Sequence, residues 1–382
     1  MGLLKIERDS LNRVLSIVMP RPSNFHAHFR WDEMIEAVAP ETMQFVKYVL
    51  GMPNNGPGVG GIIRTVEDAT RVYHRLMNIR AKHGLHSVTQ ILLTLYHTAD
   101  ITPAVVEYAI RSTMVQAIKD YPTHAKGTTN AGHGLAFDEN HDLAKACLEN
   151  GFRRLFHAED THDLYGNPLE HKYREAHCIK YRMWKFRDTY PGKYCIEHAS
   201  TREAIEFVKA DTSGNTVMTV TPQHLLFTED DFNKYSWKNH LRCMPYVKTE
   251  DDRQALLDLV TSGDSRCIAG DDSAPHPSKK KNVAFEDAAC GCWLPHSIAL
   301  YALAFMQRDA LDERFVAFMC YNGPDWWGLS RPSADDTIRI VATNQDIPDP
   351  TPLPEIDDVV IPLGWTESPD RLKIGYAAAL AA

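Results

Sequence analysis

Residues 24–30 read Asn-Phe-His-Ala-His-Phe-Arg, the first of several short apolar runs that end in polar side chains. Side chains at positions i and i+2 of a strand project to the same face, so His26 and His28 can converge on one cation. Seven further apolar runs follow, so the sequence predicts eight strands: Asn24–Phe29, Phe45–Met52, Ser87–Tyr96, Met114–Tyr121, Arg153–Ala158, Lys193–Ala199, Thr216–Thr221 and Arg266–Gly270.

Amphipathic segments separate these runs. Apolar residues recur at helical spacing in Thr65–His83, and glycines follow the helical patterns of Asn140–Asn150 and Asp251–Ser262. Strands that alternate with helices favour a parallel sheet, and eight strands are the number that closes a (β/α)8 barrel of the TIM type. We therefore predict an α/β barrel, with a doubly wound open sheet as the alternative.

Composition limits the classes of protein that this chain can belong to. The 382 residues include 44% apolar and 24% charged residues, which is enough apolar material for a large core and excludes a disordered chain. The 50 acidic and 41 basic residues give a net charge of −9, which provides no basic footprint for nucleic acid or an anionic membrane. The charged N-terminus does not fit a signal peptide, and the eight scattered cysteines are typical of reduced thiols, so we expect a cytoplasmic protein.

The composition changes near Arg331, after which prolines interrupt an acidic stretch. Such a segment is typical of an extended tail rather than of another domain. The sequence therefore predicts a barrel over residues 1–330 and a proline-rich C-terminal extension, residues 331–382, that packs on it.

Polar residues follow later strands just as the histidine pair ends the first. Lys119, His157, His198 and Asp272 come at or after the ends of predicted strands four, five, six and eight. Each has an ordinary structural explanation when taken singly, such as a core histidine, a snorkelling lysine or a helix-capping aspartate. Taken together they share the C-terminal face of the strands, which is where barrel enzymes place their active sites.

These residue types suit a metal centre that hydrolyses an amide. Imidazoles and a carboxylate are zinc ligands, and the set is large enough for two ions. A lysine ammonium cannot bind a cation, but if CO2 carbamylates Lys119, the side chain becomes an anionic bridge between two metals. Asp272 can then ligate one metal and carry a proton between nucleophile and leaving group.

The sequence resembles the amidohydrolase superfamily and, within it, the type II dihydroorotase family. The likeness extends from about Pro20 to Leu329. It rests on motifs in order along the chain: the stretch at 21–30, Gly51-Met-Pro-Asn54, Lys119-Asp-Tyr-Pro122, Thr128-Thr-Asn130 with His133-Gly134, Thr221-Pro-Gln-His224, Cys243-Met-Pro245, Asp272-Ser-Ala-Pro-His276 and Asn322-Gly-Pro324.

The resemblance implies a binuclear zinc enzyme that interconverts L-dihydroorotate and N-carbamoyl-L-aspartate in pyrimidine biosynthesis. It implies that carbamylated Lys119 bridges the two zinc ions of a subunit and that Asp272 is the general base and then the general acid. His26 and His28 would hold the more buried zinc with Asp272, and His157 and His198 the other.

The resemblance also implies how an anionic small-molecule substrate is held and that the enzyme is a homodimer. The guanidinium of Arg30 is suited to a carboxylate. Asn54 and His276 match further carboxylate-binding positions, and Met244 and Cys290 fall at other substrate-contacting positions. Thr128 and Thr129 match a loop that closes over the substrate.

Departures from the family pattern leave other functions open. Asp120 stands where the family has an apolar residue, which predicts an extra acid beside the metals, and Asp271 replaces a threonine. The loop between Pro122 and Thr128 is two residues longer than usual. The alternatives are hydrolysis of another cyclic amide, imide or lactone, a metal-dependent decarboxylase, and a catalytically silent binding partner. The run 279–281, Lys-Lys-Lys, predicts a solvated loop that could steer an anionic substrate.

Overall fold

Eight short parallel strands surround the centre of the structure, a computed structural model that describes residues 4–56, 61–85, 90–122, 135–333 and 335–380. In chain order the strands are β1 Lys5–Arg8, β2 Val14–Pro20, β3 Asn24–Ala27, β4 Tyr48–Gly51, β5 Gln90–Tyr96, β6 Val115–Asp120, β7 Arg153–Phe156, β8 Tyr194–Ile196, β9 Thr216–Val220, β10 Cys267–Ala269, β11 Thr337–Ala342, β12 Thr351–Leu353, β13 Asp358–Val360 and β14 Tyr376–Leu380.

Strands β3 to β10 form the barrel. Each pairs in parallel with the next strand of the chain, and the eight lie within the eight predicted runs. Beyond the strand ends, a parallel bridge between Ala27 and Ser273 closes the ring, and the backbone N–H of Asp272 donates to the carbonyl of His26. The predicted (β/α)8 barrel is confirmed. The chain continues from β3 and β10 directly into the polar residues at the barrel mouth.

Helices cover the outside of the barrel. The α-helices are α1 Asp32–Met43, α2 Val66–Lys82, α3 Pro103–Ile110, α4 His141–Glu149, α5 Arg174–Cys178, α6 Trp184–Thr189, α7 Arg202–Lys209, α8 Pro222–Leu226, α9 Lys238–Leu241, α10 Glu250–Val260, α11 Ser278–Lys281, α12 Ser297–Met306, α13 Glu313–Val316 and α14 Asn322–Trp327. Short 3₁₀ turns occur at His171–Tyr173, Glu229–Asn233 and Pro354–Ile356, and π-helical turns at Ile179–Met183 and Ala317–Tyr321.

Helix α2 shows why these segments are helical. A capping box formed by Thr65 and Asp68 satisfies backbone N–H groups at its start. Val72, Leu76 and Ile79 then recur at helical spacing and are buried against the barrel. The predicted helix over Thr65–His83 is therefore confirmed, and its stripe of apolar side chains anchors it beside β5.

Both ends of the chain meet in a second sheet. Its antiparallel order is β1-β2-β11-β14, in which Ile17 of β2 lies opposite Ile340 of β11. These two side chains are buried in the apolar cluster that continues into the barrel helices. The segment after residue 330 thus contains regular strands that pair with the N-terminal ones. The division at residue 330 into barrel and extension stays a prediction. None of the helices in the described part of the chain is long and apolar enough to cross a membrane.

Candidate metal centre and active site

The predicted ligands converge at the C-terminal mouth of the barrel. A cavity of about 460 Å³ opens there, and most of the site residues predicted from the sequence line it. These lining residues are His26, His28, Arg30, Asn54, His157, His198, Met244, Asp272, His276 and Cys290, together with Tyr121, Ala274 and Gly291. Thr128 and Thr129 lie outside the described residues.

Asp272 lies at the centre of the histidines. Its Oδ1 atom is 3.2 Å from Nε2 of His26 and 3.0 Å from Nε2 of His28. Ligand atoms of His26, His198 and Asp272 all lie within 4.8 Å of one another, which is the arrangement of a possible metal site. The rings of His157 and His198 are 4.5 Å apart, so the fourth histidine lies beside this group. The donor set of neutral nitrogens and carboxylate oxygen fits a divalent transition metal.

Lys119 lies below this group inside the barrel. Its side chain is fully buried, and Nζ has no hydrogen-bond partner among the described residues. Burial lowers the pKa of this amine, although the charges of Glu197 and Asp272 oppose the shift. A buried, unpaired amine is costly. The Nζ atom of Lys119 therefore lacks a partner that a bound group could supply.

Two carboxylates hold histidines of the predicted ligand set, and neither carboxylate was predicted from the sequence. Glu197 contacts Nδ1 of His26 and also accepts a 2.9 Å hydrogen bond from the hydroxyl of Thr219. Glu159 lies 2.7 Å from Nε2 of His157. A carboxylate on one ring nitrogen orients the imidazole and leaves the other nitrogen for a cation. The sequence did offer a signal for these acids, because Glu197 is next to His198 and Glu159 is two residues from His157.

Burial and charge keep most of these histidines neutral. Burial lowers the pKa of His28 to about 4, and burial together with the neighbouring His157 lowers the pKa of His198 well below its ordinary value. For His26, burial is outweighed by the charges of Glu197 and Asp272, so its pKa is raised. Burial alone would raise the pKa of Asp272, but His26 and His28 lower it strongly. Neutral imidazoles and an ionised carboxylate are the forms that bind metals.

The backbone is strained at three positions of the mouth. Arg30, His198 and Asp272 have φ angles of +61°, +41° and +49°. Residues with a side chain rarely adopt this left-handed region, and such strain persists only where the surrounding structure enforces it. It aims these side chains into the cavity rather than along the barrel wall.

A second group of side chains lies on one flank of the metal-ligand cluster. Nε of Arg30 donates to the carbonyl of Pro275 at 2.9 Å, and Nη2 lies 3.2 Å from Nε2 of His276. Nε2 of His276 is also 2.9 Å from the carbonyl of Cys290. Burial lowers the pKa of Arg30 to about 10, so the guanidinium remains a cation at neutral pH. This flank can hold an anionic group of a ligand.

Tyr121 was quoted in a motif but received no role from the sequence. Its hydroxyl donates a 2.6 Å hydrogen bond to Oδ1 of Asn54, and its ring stacks on Tyr96 with centroids 4.8 Å apart. With Oδ1 engaged, the amide nitrogen is the free hydrogen-bonding group of Asn54. Tyr121 thus fixes Asn54 as a donor beside the cavity.

The prediction that Asp120 adds an acid beside the metals is wrong. Asp120 follows Lys119 on β6, and successive side chains of a strand point to opposite faces. Its carboxylate accepts from Nε of Arg154 at 3.0 Å, contacts Nη2 of the same residue, and lies 2.6 Å from Nδ1 of His97. The charge is neutralised outside the barrel, away from the cavity.

The prediction of a solvated lysine loop is wrong for Lys281. This side chain is 3% exposed, and Nζ donates to the carbonyls of Arg242, Ala289 and Gly291 at 3.3, 2.9 and 2.8 Å. Lys281 therefore fastens the segment around Cys290 that lines the cavity. Three carbonyl partners satisfy all three ammonium hydrogens, which is why the charge can be buried.

Comparison with solved structures defines the class of protein. A dihydroorotase from Saccharomyces cerevisiae, solved with 5-fluoroorotic acid, superposes with a TM-score of 0.82 at 23% identity, covering 96% of this chain and 99% of that one. A dihydroorotase from Campylobacter jejuni superposes with a TM-score of 0.78 at 22% identity, covering 95% of this chain and 97% of that one. An L-hydantoinase from Arthrobacter aurescens superposes with a TM-score of 0.69 at 15% identity, covering 87% of this chain and 78% of that one. The chain therefore shares the fold of these dihydroorotases and of this hydantoinase.

Comparison of sequences narrows this class to one family. The chain is 33% identical over 350 residues to a dihydroorotase of Picosynechococcus, covering 89% of this chain and 93% of that protein. It is 34% identical over 356 residues to one of Klebsiella pneumoniae, covering 90% and 93%. A scan against protein-family models finds no match. The chain belongs to the dihydroorotase family.

Proposed function

We propose that this protein catalyses the reversible hydrolysis of L-dihydroorotate to N-carbamoyl-L-aspartate in pyrimidine biosynthesis. The observation that carries the proposal is one cavity that combines a cluster of imidazoles and a carboxylate with the buried cation of Arg30. The first group suits the attack on a cyclic amide, and the second suits a carboxylate of the substrate. Family membership over about nine-tenths of the chain supports the same activity.

The histidines and the carboxylate at the mouth provide enough ligands for two metal ions. We propose that His26, His28 and Asp272 hold one zinc ion and that His157 and His198 hold the other. Lys119, carbamylated by CO2, would lie between them, which is consistent with its buried and unpaired Nζ. Two bound divalent ions would supply a water of lowered pKa and would polarise the amide carbonyl.

The protein's own side chains then position the substrate and move the proton. Asp272 is placed to accept a proton from the attacking water and to return it to the ring nitrogen that leaves. The substrate carboxylate would be held on the flank of the cavity by Arg30, Asn54 and His276. The ring of the substrate would lie against Met244 and Cys290. Thr128 and Thr129 would close over the bound substrate, as the family likeness implies.

Other cyclic amides, imides or lactones remain the alternative substrates. Two departures from the family pattern favoured such a substrate. The first, an acid beside the metals, no longer applies, because Asp120 is paired with Arg154 outside the barrel. The second departure is the longer segment between Pro122 and Thr128. It falls in residues 123–134, outside the described part of the chain. A homodimer and a cytoplasmic location also stay predictions, of which the first is tested by sedimentation equilibrium.

The experiment measures turnover of dihydroorotate and of carbamoyl-aspartate on a sample whose metal content is determined. We expect about two metal ions per chain and turnover in both directions. Replacing Lys119 with alanine should lower the metal content and abolish turnover, because the proposed bridge is lost. A panel of cyclic amides, imides and lactones assayed alongside should give lower values of kcat/KM. A much better substrate in that panel would establish the alternative.

The carboxylate assignment is tested separately with Arg30→Met. A hydrogen-bonded charge pair is worth about 1.5–3 kcal/mol, so KM for dihydroorotate should rise by about 10- to 150-fold. Arg111→Met removes the same charge from an exposed position and serves as the matched control. An unchanged KM in Arg30→Met would contradict the assignment.

A further inference from the structure

A second cavity lies at the seam where the barrel closes. It has a volume of about 960 Å³ and is lined by residues of β3, the end of α1, the start of α12 and β14. None of its lining residues lines the metal cavity. Asp271 lines the seam cavity, whereas the next residue, Asp272, lines the metal cavity. The two cavities are therefore on opposite sides of one short stretch of backbone.

The ionisable side chains that line the seam cavity include carboxyl groups and no basic group other than one histidine. Glu41 and Asp271 contribute two carboxyl groups to its lining, which contains no lysine or arginine. The carboxyl group of Asp271 accepts a hydrogen bond from the backbone N–H of Ser273 and is hydrogen-bonded to the side chains of Asn24 and Ser297, and no ion pair to it is found among the described residues. Burial raises the pKa of Glu41, and no neighbouring cation opposes that shift. Such a lining repels anions and favours a cation that enters from outside.

A buried histidine in the same lining lacks its hydrogen bonds. His296 is 7% exposed, and neither ring nitrogen has a hydrogen-bond partner among the described residues. Buried polar groups in native structures are almost always paired, so an unpaired ring that faces a cavity indicates a missing partner. Burial lowers the pKa of His296 to about 3, so the imidazole is neutral and offers one acceptor nitrogen.

The remaining lining mixes polar side chains, those of Asn24, Thr42, Gln44, Ser297 and Gln345, with apolar and aromatic ones. Phe45, Ile298, Ile374 and Tyr376 line the cavity, and aromatic faces attract cations. The metal-ligand group found among the described residues is the one at the barrel mouth, and it includes none of Glu41, Asp271 and His296. The seam cavity therefore fits a cation with an apolar body better than a bare metal ion.

We propose that the seam cavity binds a small organic ammonium ion. The ammonium group would lie among the carboxylates of Glu41 and Asp271 and donate to the free ring nitrogen of His296. The alkyl or aryl body would lie against Phe45 and Tyr376. This site is independent of the proposed hydrolase activity, because none of its lining residues is assigned to that reaction.

The test is calorimetric titration of the metal-loaded enzyme with n-butylammonium at mildly alkaline pH and low ionic strength. The neutral 1-butanol and the anionic butyrate have nearly the same shape and serve as probes of charge. We expect n-butylammonium to bind at least about tenfold more tightly than either, since one ion pair of about 1.4 kcal/mol gives that factor. Equal affinity for the alcohol would overturn the proposal.

Two variants locate the binding. Glu41→Gln should weaken n-butylammonium about tenfold, and His296→Phe should also weaken it, while both leave dihydroorotate turnover unchanged. Glu33→Gln removes the same charge from the same helix outside the cavity lining and should bind like the wild type. Unchanged affinity in Glu41→Gln, or displacement of the amine by saturating dihydroorotate, would refute the seam site. Because the binding readout does not use turnover, failure here is distinguishable from failure of the proposed hydrolase function.

Discussion

Replacing Asp120 with asparagine removes the negative charge from a buried group on the outer face of β6. In this group Asp120 accepts from Arg154 at 3.0 Å and lies 2.6 Å from Nδ1 of His97. The carboxylate is 2% exposed and Arg154 is fully buried, so water cannot replace the lost charge. The variant leaves a buried guanidinium without its counterion, which is the costly way to break an ion pair.

The structure gives the size of the effect of Asp120→Asn. Removing one partner of a buried pair costs about 3–5 kcal/mol, and the asparagine amide keeps one acceptor, so we expect about 3 kcal/mol. An unfolding entropy of about 2.1 cal/mol/K per residue over the 382 residues amounts to about 0.8 kcal/mol/K. The thermal midpoint should therefore fall by about 4 °C.

The same group predicts a pH dependence. Burial alone would raise the pKa of Asp120, but the charges of Arg154 and His97 and their hydrogen bonds lower it below 3.8. A carboxylate with a lowered pKa stabilises the fold above its unfolded value of 3.8, and this stabilisation is lost as pH falls through the lowered value. The difference between wild type and Asp120→Asn should be complete at neutral pH and shrink below about pH 4.

Calorimetric unfolding of both proteins, followed by kinetics on dihydroorotate, checks this prediction. Asp230→Asn is the matched control, since Asp230 is exposed and should change stability by less than about 0.5 kcal/mol. The substrate preference of Asp120→Asn should equal that of the wild type. An unchanged thermal midpoint together with an altered substrate preference would refute the reasoning and return Asp120 to the active site.

Three further variants test the supports of the site. Tyr121→Phe frees Oδ1 of Asn54, so KM should rise about 5- to 10-fold, the value of one hydrogen bond, with little change in kcat. Glu197→Gln removes the charged partner of His26 and should weaken metal affinity about 10- to 100-fold, measured by competition with a chelator; full metal affinity would contradict the pairing. Lys281→Met leaves three carbonyls unpaired and should lower stability by at least about 2 kcal/mol in urea unfolding, whereas a surface role predicts no loss.

Local sequence pattern predicted the fold and brought the candidate metal ligands together. The eight apolar runs contain the eight barrel strands, and residues at their C-terminal ends converge because parallel strands bring those ends to one face. His26, His157 and Asp272 could therefore be grouped before any contact was known. That grouping depends on strand period and order, which a single sequence contains.

Pairing across the fold was not accessible in the same way. The alternation along β6 already separates Asp120 from Lys119, but the partner Arg154 is 34 residues away on the neighbouring strand. Glu197 and His26 are 171 residues apart and meet because the barrel closes. Closure of the barrel decides which charges neutralise each other. The residues near each charge in the sequence do not reveal its partner.

The sequence by itself determined the order of strands and helices, the apolar faces and the chemistry available at each strand end. The tertiary structure alone decided that Lys281 is buried, that Tyr121 fixes Asn54 and that a cavity with Glu41 and Asp271 in its lining lies at the seam. The physical reason is that strand and helix periods are set by neighbours in the chain. Whether a charge is buried, and which partner offsets it, depends on residues that are distant in the sequence and become neighbours only in the folded chain.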